Sequence, residues 1–368
     1  MKLKRVAVIF GGRSGEHVVS LRSAASIIDA IDKEIYEVVP VGITRKGTWL
    51  AGPDVWSALW ESRYPQNSTR AVLITDPAAP GLLIQKGSSS GEWIFQPLDL
   101  VFPVLHGTYG EDGTIQGLLE MAGLPYVGAG VLASGVAMDK AVMKIIFERY
   151  ALPVAPYLFF NRFQWKNNHI YWRGRIEKEL GYPCFVKPAN LGSSVGVSKV
   201  RAGAELAESV EAAFLYDDKV VVETYVEGRE LECSVLGDIN PVASRPGEVI
   251  PCNEFYDYRA KYIDDRSELI APVELGEQLE KAVRDYSIRA FQAVEASGLA
   301  RVDFFLQTGT ERLIINEINT MPGFTSISMY PKLWEASGIR YGELVNRLLK
   351  AAEERFQRRQ SLLFSPPE

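Results

Sequence analysis

Residues 301–323 read RVDFFLQTGTERLIINEINTMPG: two apolar, strand-like runs joined by a polar turn, with Asp303, Glu317 and Asn319 set among the hydrophobic side chains. Side chains of a strand alternate between faces, which puts Ala300, Val302, Phe304 and Leu306 on one side and Arg301, Asp303 and Phe305 on the other. The same period aligns Ile315, Glu317 and Asn319 in the second run. Reflection about Gly309 sets Asp303 opposite position 315, with Glu317 a direct or diagonal neighbour. Two carboxylates and a carboxamide on one sheet face repel unless a cation neutralises them. A small set of hard oxygen ligands suits Mg²⁺, which shares its remaining positions with water and substrate phosphates. The alternative at this level is a solvated sheet face with Arg301 as salt-bridge partner.

Upstream, the helix expected from Glu274 to Ser297 carries Leu279, Ala282, Val283, Tyr286, Ala290 and Val294 on one stripe, with Gly298 suited to its C-cap. The chain opens with a β-loop-α-β pattern: the strand KRVAVIF, the turn GGRSGEH, the helix VVSLRSAASIIDAI and the strand YEVVPVGI. That pattern predicts a parallel sheet with its ligand site at the strand ends. Residues 51–92 are polar with little periodicity, and LDLVFPVL then gives a further strand ending in HGTYGEDG. His106 ends that strand, where it serves either a ligand or only a cap or core, and Glu16 and His17 follow the first strand at the equivalent place, with first-turn helix electrostatics as the alternative for Glu16. Further on, PCFVKP and SVGVSKV read as strands joined by ANLGS, followed by a helix in AELAESVEAAFLY and strands in KVVVETYV and ELECSVLG. The long charged, tyrosine-rich stretch between Arg245 and Pro272 reads either as a lid presenting Lys261 and Tyr262 or as an exposed polar loop.

At 368 residues the chain is long enough for two or three packed domains. Its formal net charge of -6 leaves no basic excess for nucleic acid or an anionic membrane surface. VAVIF is far shorter than a signal-peptide core, and no run approaches a membrane span. Three widely spaced cysteines, Cys184, Cys233 and Cys252, favour a reducing cytosol.

Lys187 precedes ANLGSSVG, where Gly192 and Gly196 allow close backbone approach and Ser193 and Ser194 offer hydroxyls. Backbone N–H groups with a lysine can cradle phosphates. GxxxxGK[ST] is absent, so this is not a Walker loop, and a plain hairpin is the alternative.

In order and spacing, GGRSGEHVVS, HGTYGEDGTIQG, MDK, VKPANLGSSVGVSKV, VETYVEGRELE, FYDYRAKY, RVDFFL and INEINTMPGFTSISMYP resemble the D-alanine–D-alanine ligase family of the ATP-grasp superfamily, over about residues 5 to 350. The resemblance implies an α/β ATP-grasp architecture. Its parts are a Rossmann-like parallel-sheet substrate domain (1–134), a small central α+β subdomain (135–226) and a C-terminal mixed-sheet subdomain (227–368) with a mobile loop (246–272) and the metal site. It implies a cytoplasmic homodimer that uses ATP and two Mg²⁺, with Mn²⁺ as an alternative metal, to join two D-alanines for peptidoglycan synthesis.

Residue by residue, Asp303, Glu317 and Asn319 match the metal ligands, and Lys140 and Lys187 the phosphate-binding lysines, with Ser193, Ser194 and Lys261 also on the ATP side. Glu223 and the backbone of Val226 match adenine contacts, and Glu230 the ribose contact. Glu16 and His106 match residues holding the first D-alanine, while Ser328 and Lys261 match groups near the second. Ser193, Tyr262 and Glu16 match a hydrogen-bonded trio that couples lid to substrate. Arg301 and the Gly323 N–H match the oxyanion site. The chain departs from the family's usual EHEVS, with Val18 in place of the acidic residue, a position given no chemistry here. Tyr225 and Val226 are common variants.

Three other readings compete with this one. A dinucleotide-dependent dehydrogenase lacks GxGxxG and an acidic ribose partner after strand two. A non-catalytic nucleotide-binding module would have let some metal or lysine position decay, and every one is filled. A ligase making D-alanyl-D-lactate or D-alanyl-D-serine keeps the class, and the Lys261–Tyr262 pair favours D-alanine over it.

Overall fold

The computed structural model describes residues 2–61, 69–87, 91–251 and 268–363. Lys261, Tyr262 and Cys252 therefore lie outside the described residues, as does most of the expected lid.

The first sheet is built on β1 (Lys4–Gly11), whose residues Val6 to Phe10 are fully buried because both faces are covered. It pairs in parallel with β2 (Tyr36–Ile43) and β7 (Leu100–Val104), and α1 (His17–Ala30) makes the crossover between β1 and β2. Antiparallel strands extend it: β3 (Trp49–Ala51), β4 (Thr69–Ile74), β5 (Gly81–Gln85) and β6 (Trp93–Pro97), in the order β6-β5-β4-β3-β2-β1-β7. The stretch 51–92, featureless as sequence, thus holds a sheet extension and the short helix α2 (Val55–Trp60). After β7 come α3 (Thr114–Met121) and α4 (Val131–Met138). The helical stretch around MDK is broken at Asp139, whose carboxylate accepts the N–H groups of Ala141 and Val142 (3.1 Å each) and starts α5 (Lys140–Arg149) afresh.

The second sheet is antiparallel and ordered β10-β9-β11-β8, from β8 (Tyr157–Asn161), β9 (Cys184–Pro188), β10 (Ser198–Val200) and β11 (Lys219–Thr224). The helices α6 (Arg162–Glu179) and α7 (Leu206–Ala213) cover it.

The third sheet is ordered β15-β14-β12-β16-β17, from β12 (Gly228–Gly237), β14 (Gly247–Ile250), β15 (Glu268–Ile270), β16 (Gly298–Gln307) and β17 (Leu313–Asn319); β13 (Val242–Ala243) pairs with β12. Its ladders are antiparallel, and a parallel contact enters through the bridge Val154–Ile315. Strands β14 and β15 occupy the two ends of the stretch 246–272. The helix α8 (Glu277–Ala293) packs on this sheet and ends earlier than its periodicity suggested. Glu295 takes the left-handed position (φ 56) and the Ala296 N–H closes on Phe291 O at 2.9 Å, so Glu295 rather than Gly298 terminates the helix. Gly298 opens β16 instead, where a Cβ would lie 3.1 Å from Gly128 N.

The last helices, α9 (Met329–Ala336) and α10 (Tyr341–Gln360), share one core with the first sheet: Phe10 and Phe102 are buried with Phe324, Tyr330, Leu344 and Leu348. The segment after β17 is thereby fixed to the N-terminal sheet. Among the described residues, no helix is long and apolar enough to cross a membrane. Cys184 and Cys233 are free and buried.

Candidate active site

The hairpin of β16 and β17 sets Asp303 directly opposite Glu317 and Arg301 opposite Asn319. The simple reflection put residue 315 there; the structure pairs Phe304 with Ile315 and inserts Asn316 as a one-residue bulge. Ile315 accordingly turns to the core with Phe304, and Glu317 keeps the polar face. On the other side of β16, Glu232 of β12 pairs with Asp303. Glu232, Asp303 and Glu317 thus form a row of carboxylates across three strands. Arg301 grips Asp303 with two bonds of 2.7 Å and reaches Glu232 Oε2 at 2.9 Å. The Asn319 amide donates to Asp303 Oδ2 (3.0 Å), and Lys140 Nζ lies 3.3 Å from Glu317 Oε2.

Lys140, Glu232, Asp303 and Glu317 form the charged end of a cleft of about 400 Å³ between the second and third sheets, and Arg301 and Asn319 lie outside its lining. Its other end is apolar, with Phe185, Val226, Leu231, Val249 and Phe305 in the walls. Of the sequence candidates, Lys140, Lys187, Ser193, Ser194, Glu223, Val226, Glu230, Asp303 and Glu317 all line it. Lys187 Nζ pairs with Glu223 Oε1 and lies 3.4 Å from Asn316 Oδ1, while Lys140 Nζ donates to Leu191 O at 2.8 Å. Burial alone would push the Glu223 carboxyl up, but the ammonium groups of Lys144 and Lys187 outweigh it and hold it down at about 2.

Ser193 and Ser194 both adopt the left-handed backbone (φ 53 and 56), which costs a non-glycine residue of order 1–3 kcal/mol. Ser193 Oγ donates to Glu16 Oε1, so a loop of the first sheet holds the strained turn of the second. The Glu16 carboxylate occupies a slot between two glycines: a Cβ on Gly107 would meet Oε2 at 2.5 Å, and one on Gly192 at 3.1 Å.

His106 sits behind this slot. Its Nδ1 donates to Met321 O (2.8 Å), leaving Nε2 to accept from Ser23 Oγ (3.2 Å), and the Phe324 N–H donates to the same hydroxyl (3.1 Å). Burial lowers its pKa, so the neutral tautomer fits both partners. Contact between His106 and a substrate carboxylate requires one of these bonds to open. Glu111 completes the clamp, accepting the N–H groups of Gly107 (2.7 Å) and Met321 (3.1 Å). Burial, reinforced by the nearby Glu16 charge, raises its carboxyl to about 8. Gly323 follows in the clamped segment; a Cβ there would lie 3.3 Å from Ser328 Oγ, which also faces Thr325 Oγ1 at 2.7 Å. His17 is structural, bonding Gly12 O at 2.9 Å through Nδ1.

The family pattern described as D-ala D-ala ligase N-terminus matches residues 5–129, and the one described as D-ala D-ala ligase C-terminus matches residues 146–350. The chain belongs to the D-alanine–D-alanine ligase family. It is similar to the D-alanine–D-alanine ligase of Natranaerobius thermophilus, 48% identical over 363 residues and 97% of each chain. It is similar also to that of Heliobacterium modesticaldum, 49% identical over 360 residues, 98% of this chain and 97% of the other. Among solved structures, the VanG D-Ala:D-Ser ligase of Enterococcus faecalis superposes with a TM-score of 0.85 at 34% identity, covering 95% of this chain and all of that one (100%). The D-alanine-D-alanine ligase of Coxiella burnetii superposes with a TM-score of 0.82 at 34% identity, covering 98% and 97%. The fold is accordingly the α/β ATP-grasp architecture of this family.

A divalent metal is implied by that membership, and the donor set fits one. Among the described residues no three His, Cys, Asp or Glu side chains converge as a complete protein cage. Two paired carboxylates and the Asn319 carboxamide are the small hard-oxygen set that leaves positions for phosphate oxygens. Glu111, Glu232 and Lys144 escaped the sequence reading. Lys144 carried a signal: it falls three residues after Ala141 and three before Phe147, on the buried stripe of α5.

Proposed function

We propose that this chain joins two D-alanines into D-alanyl-D-alanine at the expense of ATP, within peptidoglycan precursor synthesis. A carboxylate does not condense with an amine in water because its oxygen is a poor leaving group. Phosphorylation of the first D-alanine to an acyl phosphate supplies that leaving group. The amine of the second then attacks the carbonyl carbon, the oxyanion collapses, and phosphate departs. The observation that carries this reading is the cleft itself: an apolar end walled by Phe185, Val226, Leu231, Val249 and Phe305, and a charged end where Lys140, Lys187, Asp303 and Glu317 meet.

Each side chain has a task in this scheme. Lys140 and Lys187 neutralise the phosphates, Ser193 and Ser194 bind them on the strained turn, and Glu223, the Val226 backbone and Glu230 hold the adenosine. Asp303, Glu317 and Asn319 would hold two Mg²⁺, with Mn²⁺ as substitute; bound metal neutralises phosphate charge during transfer. Glu16 and His106 serve the first D-alanine, and Ser328 the second. Arg301 and the Gly323 N–H stabilise the oxyanion, a role in which losing one donor costs roughly a hundred- to a thousandfold in rate. Lys261 and Tyr262 belong to the lid that excludes water from the acyl phosphate. Units divided near residues 134 and 226, a homodimer and a cytosolic location complete the proposal.

Coupled measurement of ADP release across D-alanine, L-alanine, D-serine and D-lactate tests the reading. We expect turnover with D-alanine that Asp303→Ala or Glu317→Ala abolishes. ADP release indifferent to D-alanine, or wild-type turnover in either variant, would overturn it, and preference for D-serine would move it to the specificity of the Enterococcus faecalis relative.

A further inference from the structure

Lys144 is 1% exposed at its side chain, and it lies behind the cleft rather than in its lining. Its ammonium sits 2.8 Å from Glu223 Oε2 and 5.8 Å from the centre of the Tyr157 ring. Burial lowers its pKa, opposed chiefly by the Glu223 charge. Taking an ammonium out of water costs several kcal/mol unless a counter-charge is well placed, so this pair demands a reason. Glu223 also meets Lys187 through its other oxygen, Oε1, and both of those residues face the cavity. The carboxylate is therefore divided: one oxygen is anchored from behind by a lysine that cannot leave, the other is shared with a lysine at the cavity surface.

We infer that Lys144 is a positioning residue that keeps Glu223 ionised and turned to the cleft, so that Oε1 can exchange the Lys187 ammonium for the exocyclic amine of the purine. This deepens the nucleotide reading of the cleft and rests on it. The exchange couples two recognition events. A 6-amino purine occupies Oε1 and frees Lys187 for the phosphates; a 6-oxo purine offers a carbonyl to a carboxylate, which repels it, and Lys187 stays with Glu223. Without Lys144, departure of Lys187 would strand a buried carboxylate with no counter-charge, and the exchange would be opposed. Linkage makes the effect reciprocal: base binding strengthens phosphate binding through Lys187, and phosphate binding strengthens discrimination of the base.

Two measurements decide it. In the Lys144→Met variant, the ratio of kcat/KM for ATP to that for inosine triphosphate falls by about tenfold or more, the lower end of what one hydrogen bond to a charged group contributes. A merely structural role for Lys144 would lower stability and leave that ratio unchanged. In the wild-type protein, adenosine accelerates acetylation of Lys187, read by peptide mass spectrometry after a pulse of acetic anhydride, and inosine does not. An unchanged ratio in a folded variant, or Lys187 labelling that adenosine leaves equal or reduces, overturns the inference. Calorimetry separates the layers: failure of ATP to bind, or binding unaffected by Lys187→Ala, removes the nucleotide reading, whereas ATP binding with unmoved discrimination removes the coupling alone.

Discussion

Replacing Arg301 by Met tests whether the carboxylate row is an electrostatically strained site. The guanidinium makes two hydrogen bonds of 2.7 Å to Asp303 and an ion-pair contact of 2.9 Å with Glu232, and the side chains of Arg301, Asp303 and Glu232 are 15%, 13% and 7% exposed respectively. Methionine keeps most of the aliphatic stem, so packing changes little and the charge is what is lost. Deleting one member of a largely buried pair costs about 3–5 kcal/mol, because the partners stay buried without compensation. Here two carboxylates lose their shared cation, with Glu317 next in the row and retaining Lys140. We expect the loss to lie in that range at pH 7 by urea unfolding, and to shrink when Mg²⁺ is added with a non-hydrolysable ATP analogue. Turnover would fall as well, but stability isolates the electrostatics from catalysis. A loss below about 1 kcal/mol, the size of a solvated surface pair, with no response to metal would refute the reasoning.

Further outcomes follow from the clamp, the turn and the last helix. Glu111 has its carboxyl raised from 4.5 to about 8, so the fold binds that proton more tightly than the unfolded chain does. Its stabilisation is complete below about pH 4.5 and is lost as pH climbs through about 8; melting temperatures of Glu111→Gln should gain on wild type across that window, and parallel curves would exclude the shift. Ser193→Ala should lose the bond to Glu16 while keeping the strained φ of 53, whereas Ser193→Gly loses the bond and the strain together. The glycine variant is expected to be the more stable by about 1 kcal/mol at equal loss of ATP turnover, and identical stabilities would show that the turn holds no strain. Arg355 of α10 donates to the carbonyls of Tyr126 (2.9 Å) and Gly128 and to Ser297 Oγ, so Arg355→Ala should cost about 2–3 kcal/mol in thermal unfolding with kcat per folded molecule intact.

The hairpin faces were legible in the sequence because alternation has a period of two, and Ala300, Val302, Phe304 and Leu306 are all buried as that period requires. Its register was not, because nothing in LIINEIN marks Asn316 as the extra residue of a bulge; only pairing with β16 defines it. The helix α6 went unseen for a related reason. It buries only Trp165 and Ile176, three turns apart, so it has almost no apolar stripe to detect. Its start was legible all the same: Asn161 and Gln164 form a capping box, each side chain accepting the other's N–H at 2.8 Å. Glu111 lay inside a quoted motif, yet its role depends on Met321, 210 residues away. Long-range partners of that kind leave no periodic trace.

Besides the core that joins the first sheet to the C-terminal unit, a few polar contacts tie the three sheets together at the site, and those contacts explain why it tolerates so much unfavourable local structure. Ser193 bonds Glu16, His106 and Glu111 grip the Met321 peptide from its carbonyl and N–H sides, and Ser23 holds the Phe324 N–H. The first three run from the loops at the strand ends of the first sheet, and the last from α1, to a segment that follows the strands of the second or third. The core shared by Phe102, Phe324 and Tyr330 lies just beneath, so the anchor points cannot drift. A left-handed serine pair, a divided buried carboxylate and a row of acidic side chains are each costly alone. Placed between rigid sheets, they form a preorganised surface that, on the function proposed above, would receive a nucleotide's amine, its phosphates and their cations, and that binding would relieve the same strains that the fold imposes.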